Sequence, residues 1–216
     1  MSFQTIFEIQ QSMSVQNRRT VGQQVSRSGQ VRVAQYLTSV PWVFTVTPHS
    51  YLYYPQVRDV IQTIDNKDRQ LPETISFASQ NLSWFTAYQG DLTTEQVNAL
   101  TLASVPAANS QTITVGNLPS VASTAYIFKA GDFLQLGLYP YKVTTDVLRG
   151  SASTVSVTLH RPVIGTTTVG TLTAVGNACT FYMLAEQCPT YTLMPAPSGA
   201  FVQWDDAFVF REDITG

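Results

Sequence analysis

The stretch "FKAGDFLQLGLYPYKVTTDVLRGSASTVSVTLHRPV", Phe128 to Val163, decides how this chain folds. Apolar and polar residues alternate in its short runs "FLQLG", "YKVTTDV" and "TVSVTLH". A period of two marks half-buried strands, because successive side chains on a strand point to opposite faces. Gly131-Asp132, Tyr139-Pro140 and Arg149-Gly150-Ser151 separate the runs with residues that favour turns. Short strands at this spacing, without a helical period among them, predict a small closed or partly open barrel. The charges Asp132, Lys142, Asp146 and Arg149 fall at turns and on solvent-facing strand positions, so they do not converge on a substrate.

The same pattern extends outward, to "QTITV" upstream and to "TLTAV" and "CTFYML" downstream. Further back, "VRVAQYLTSVPWVFTVTP", Val31 to Pro48, reads as two half-buried strands broken near Pro41. In "YPQVRDVIQTIDNKDRQ" the period changes: Val57, Val60, Ile61 and Ile64 form a helical stripe opposite Arg58, Asp59 and Gln62. Pro55 sits in the first turn, where its missing N–H does no harm. "ETISF" and "SWFTAYQGD" are expected as strands, with Gly90-Asp91 closing the block. Leu92 to Ser110 is weakly patterned and reads as a connection; "TTEQVNAL" within it suits a short helix capped by Thr93 or Thr94. "GAFVQWDDAFVFREDI" reads as a closing hairpin with Asp205-Asp206 at its turn. The expected organisation is a first domain over 1–91 and 189–216, and an inserted barrel over 92–188.

The 216 residues are 44% hydrophobic and only 12% charged, where about a quarter is usual. Ser, Thr, Gln and Val make up the difference, a composition typical of chains that bury much of themselves against partners. The net charge of −2 argues against nucleic acid as the main partner. No apolar run reaches the roughly 20 residues of a membrane helix. "MSFQTIFEIQQSM" lacks the apolar run of a signal peptide, so a soluble protein made in the cytosol is expected. The charge is nevertheless uneven. Arg18, Arg19, Arg27, Arg32 and Arg58 oppose Glu8 alone in the first 58 residues, whereas Asp205, Asp206, Glu212 and Asp213 oppose only Arg211 at the far end. Either both are solvated loops, or the basic head meets the acidic tail within or between chains.

Motifs for chemistry are missing. His49 and His160 stand alone, and no GxSxG elbow accompanies them. Cys179 and Cys188, nine residues apart, fit no metal-binding spacing and are expected as two thiols, mostly buried. Neither Asp205-Asp206 nor Glu212-Asp213 places both carboxylates on one strand face, as glycosidase chemistry would require. No phosphate-binding glycine motif occurs. The expectation is a protein without catalytic residues, metal or cofactor. Tyr139 and Tyr141, flanking Pro140, are open to two readings: glycan contacts on a barrel rim, or packing residues.

The order of parts resembles the distal tail proteins and baseplate central-tube proteins of tailed bacteriophages. The resemblance rests on an extended basic arm, strands ending in "PWVFTVTP", one amphipathic helix, and strands ending at "YQGD". It continues with the Phe128–Val163 stretch and "VQWDDAFVFREDI". Its most specific part is 128–162, where Lys-x-Gly-Asp, Tyr-x-x-x-Lys-Val-Thr and "VTLHRP" succeed one another. The resemblance implies a mainly β fold: a tail-tube-like β-sandwich with one α-helix and an inserted OB-like β-barrel. It implies a virion structural protein forming a hexameric ring around the tail channel, with tail-tube and hub or tail-tip proteins as neighbours. The genome would pass through the channel without sequence-specific contact, and no membrane would be involved. Subunit contacts are expected at Arg18, Arg19, Arg27, Arg32, Asp205, Asp206, Glu212 and Asp213. The alternative from another class is a carbohydrate-binding adhesion module acting through the barrel.

Overall fold

A computed structural model describes residues 2–17, 21–25, 27–35, 40–67, 70–107, 109–165, 167–172, 174–197 and 199–214. At 2, 21–24, 31–35, 67 and 171 the description is of the backbone alone. The chain is mainly β and divides into two compact units, one over 1–17, 41–82 and 180–216 and the other over 18–40 and 83–179. No described helix is long and apolar enough to cross a membrane.

The first unit is built on a five-stranded antiparallel sheet in the order Gln10–Gln16, Val43–Pro48, Phe208–Glu212, Thr180–Gln187 and Glu73–Ser76. Its inner face is apolar because alternation carries through the register: Phe44 lies opposite Phe210, and Val46 opposite Phe208. The helix Ser2–Glu8 buries Phe3, Ile6 and Phe7 completely. That i, i+3, i+4 spacing puts all three on one helical face. The Phe7 ring lies 5.0 Å from Phe210 and 5.7 Å from both Phe44 and Phe77. Each buried phenylalanine contributes about 1.5–3 kcal/mol by leaving water, and well-placed ring pairs add about 0.5–1.5 kcal/mol. Glu212 joins this core instead of the surface: its carboxylate accepts from the Trp42 amide at 3.0 Å, and its own amide donates to the Trp42 carbonyl at 2.8 Å.

A second sheet of the same unit has the order Tyr191–Ala196, Gly199–Trp204 and Leu52–Tyr53. The helix Tyr54–Lys67 packs on it through Val57 and Ile61, which meet Val202. This is the expected amphipathic helix. The expected closing hairpin is corrected here: Gly199–Trp204 and Phe208–Glu212 belong to different sheets, and Asp205-Asp206 forms the corner between them. Trp204 packs edge-on against Phe208, with 5.6 Å between ring centroids, and so bridges that corner.

The second unit holds three short sheets. One runs Val155–Thr158, Thr112–Gly116, Thr101–Leu102, Gly170–Thr171. Another runs Tyr139–Lys142, Phe133–Leu136, Ala174–Val175, and the third pairs Val147–Leu148 with Tyr126–Phe128. A bridge between Val143 and Leu159 links the ends of two of these sheets. The short helix Thr94–Asn98 carries a capping box, in which the Thr93 hydroxyl accepts from the Gln96 amide and the Gln96 side chain returns the bond. A separate two-stranded arm, Val21–Val25 with Val31–Gln35, groups with this unit and not with the first, where it was expected.

The boundaries of the inserted unit therefore fall at 83 and 179 in place of 92 and 188, for two physical reasons. "SWFTAYQGD" forms turns instead of a strand, and two aspartates bind it to the inserted unit. The Asp132 carboxylate accepts from the amides of Gln89 and Lys129 at 2.7 and 2.8 Å, while the Asp91 carboxylate accepts from the Tyr126 amide at 2.8 Å. At the other end, Thr180–Gln187 pairs with Glu73–Ser76 and Phe208–Glu212, so the "CTFYML" run belongs to the first unit from Thr180 onward.

Candidate functional site

Two features of the fold carry exposed residues outside the apolar cores: the arm and the surface around Trp204. The arm pairs Val25 with Val31 across a five-residue turn in which Gly29 adopts φ +80°, a conformation that glycine takes without steric cost. Val25 is 64% exposed, and Arg27, Ser28, Gly29 and Gln30 are exposed at the turn. The fully buried Arg161 donates through Nη1 to the Val40 carbonyl at 2.7 Å and through Nη2 to the Pro140 carbonyl at 3.0 Å. Its guanidinium lies 5.1 Å from the centroid of the Tyr141 ring, a cation–π contact. Arg161 thus ties Val40, five residues after the arm strand Val31–Gln35 ends, to the Tyr139–Lys142 strand.

Trp204 stands between two depressions of the first unit. One, of about 310 Å³, is slightly more apolar than polar, with Ile61, Ile64, Tyr191 and Phe208 in its walls and Asp65 and Cys188 beside them. The other, of about 250 Å³, is polar and includes His49, Ser50, Gln203, Asp205 and Asp206. The two aspartates also organise the corner. Asp205 accepts from the hydroxyls of Thr190 and Thr192 at 2.7 and 3.2 Å, and Asp206 accepts from the Ala207 amide at 2.7 Å and the Gln187 side chain at 3.2 Å. Both remain exposed. The described residues lining the two depressions include no lysine or arginine.

The expected contact residues therefore separate into groups. Arg27, Asp205 and Asp206 are on the surface. Arg18 and Arg19 lie outside the described residues, and Arg32 is described by its backbone alone, opposite Gln24 in the arm. Asp213 is half-buried, and its amide extends the sheet by donating to the Tyr182 carbonyl at 2.9 Å. Glu212, only 2% exposed, is corrected from an interface residue to a core one. Tyr139 and Tyr141 are corrected likewise: at 5% and 0% exposure their rings cannot stack on a glycan. The Tyr141 hydroxyl accepts from the Ile164 amide at 2.8 Å, so its polar end is satisfied inside the fold.

The histidines and cysteines do not assemble a reactive centre. His160 Nδ1 accepts from the Lys142 amide at 3.0 Å and so holds a strand end, while His49 is exposed on the first unit. Burial pushes the Cys179 thiol well above its usual range, which opposes formation of a nucleophilic thiolate. Among the described residues, no group of three or more His, Cys, Asp or Glu side chains is placed to hold a metal ion. Sequence reading missed Arg161 and Trp204. Arg161 followed a strand end like any solvated charge, and Trp204 looked like one more alternating residue. No family model matches the chain, and no curated protein matches it either.

Proposed function

We propose that this chain is a structural subunit of a bacteriophage tail, forming a ring, hexameric by its family resemblance, around the tail channel near the distal end. It joins the tail tube to the tip or hub, and its place is the virion after synthesis in the host cytoplasm. In this reading its role is assembly, and it neither catalyses a reaction nor carries a cofactor.

The observation that carries the reading is the edge strand Gln10–Gln16, "QQSMSVQ". Proteins that remain monomeric guard such edges with lysine, proline, bulges or very short strands. This edge has seven residues with neither charge nor proline, and its register shift against Val43–Pro48 is confined to the start, between Gln10 and Ser12, so that 12–16 run in regular register. It suits continuation of the sheet into a second copy, and a heterologous contact of that kind closes into a ring when its rotation allows. The low charged fraction and the exposed arm support the same reading.

Mass photometry of the purified protein across concentration and salt tests it. Discrete oligomers are expected, and Ser12→Lys with Ser14→Lys should shift them to monomer while circular dichroism stays unchanged, since both side chains are exposed. A wild-type chain that stays monomeric throughout, or doubly substituted chains that assemble normally, would overturn the proposal.

A further inference from the structure

The groove beside Trp204 is built for a cation with an apolar stem. The helix Tyr54–Lys67 supplies one wall through Ile61 and Ile64, and the segment leading into Tyr191–Ala196 supplies the other. Asp65 stands in the more apolar depression on one side of Trp204, and Asp205 and Asp206 stand in the polar one on the other side. A guanidinium matches this combination better than an ammonium does. It is weakly hydrated, stacks on an aromatic face, and presents a flat fork of donors to carboxylates. The chain already uses this pairing once, with Arg161 over Tyr141.

We infer that the occupant of this groove is the arm turn of a second copy, with Arg27 against Trp204 and between Asp65 and Asp206. The inference rests on the ring reading above and names the contact that would hold neighbouring subunits. Charge complementarity carries it: the basic excess of the sequence lies in the segment that forms the arm, and Arg27 occupies its exposed turn. The acidic excess lies at the corner beside Trp204. The arm strands, five residues each, are about 17 Å long at about 3.4 Å per residue. Val25, 64% exposed near the arm's turn, is the apolar partner for Ile64 and Tyr191. Such a contact sets subunit register and association rate through its charges, and excludes water through its apolar part.

The test uses the full chain and mass photometry at low salt. Arg27→Glu should raise the concentration needed for half-assembly about tenfold, the equivalent of one charge-assisted contact. Asp65→Lys, on an exposed helix face, should do the same. Combining the two restores opposite charges across the contact and should recover most of the loss, while Arg27→Lys should recover only part of it because an ammonium lacks the planar stack. Wild-type assembly that is indifferent to Arg27→Glu, or a double variant no better than either single one, would overturn this inference and leave the ring reading standing. A wild-type chain that never assembles would remove both.

Discussion

The two units solve the problem of holding β-strands together in different ways. In the first, the strands of the main sheet run from four to eight residues, and three distant chain segments meet around a cluster of phenylalanines. In the second, the strands run from two to five residues, too short for each to bury much surface. Buried polar groups fill the gap. Arg161 ties two backbone carbonyls together, and Asp132 ties two backbone amides. The contrast shows that long strands can rely on area removed from water, which needs no particular geometry. Short strands instead depend on directional bonds that fix their loops.

Three substitutions sharpen this contrast. The largest expected effect is in the first unit: Trp42→Ala should cost about 3–5 kcal/mol, because it opens a cavity between Phe44 and Phe181, 6.4 and 5.9 Å away. Urea unfolding measures it, and a loss near zero would mean that the sheet does not depend on its aromatic cluster. Next comes Arg161→Met, which preserves bulk but removes the guanidinium bonds to the Val40 and Pro140 carbonyls, at about 1–3 kcal/mol in all. Hydrogen exchange should rise over 139–142 as the contact between Val40 and that strand loosens. Unchanged exchange there would make Arg161 a filler of volume instead of a clamp.

The smallest effect concerns pH. Burial outweighs the two amide bonds and holds the Asp132 carboxyl above its ordinary value of 3.8. The folded chain therefore binds this proton more tightly than the unfolded chain. The resulting stabilisation is complete below 3.8 and is lost as pH rises through the raised value. Asp132→Asn should flatten that segment of the stability profile. A variant with the wild-type slope would show that the proton is bound elsewhere.

Much of the local structure was legible in the sequence. The stripe Val57, Ile61, Ile64 identified its helix, Thr93 its cap, and period-two runs identified the strands at 112–116, 133–136 and 155–158. The N-terminal helix was not anticipated, since seven residues are too short for a period to stand out, and the helix is held by the sheet beneath Phe3 and Phe7. The site was less legible than the fold. Arg27, Asp205, Asp206 and Glu212 are all expected from the sequence as subunit contacts; the first three are exposed, but nothing local distinguishes the buried Glu212 from its exposed neighbour Arg211.

The sequence by itself determined the helix Tyr54–Lys67, the short helix after Thr93, most of the strands, and the uneven placement of charge along the chain, because these depend on residues within a few positions of one another. Tertiary structure alone decided which sheet each strand joins. It sent Thr180–Gln187 to the first unit, split Gly199–Trp204 from Phe208–Glu212, and buried both faces of Phe133–Leu136 along with Tyr139 and Tyr141. The physical reason is that strand pairing and burial are settled by partners distant in the chain. A strand's alternation names its two faces but not what will cover them.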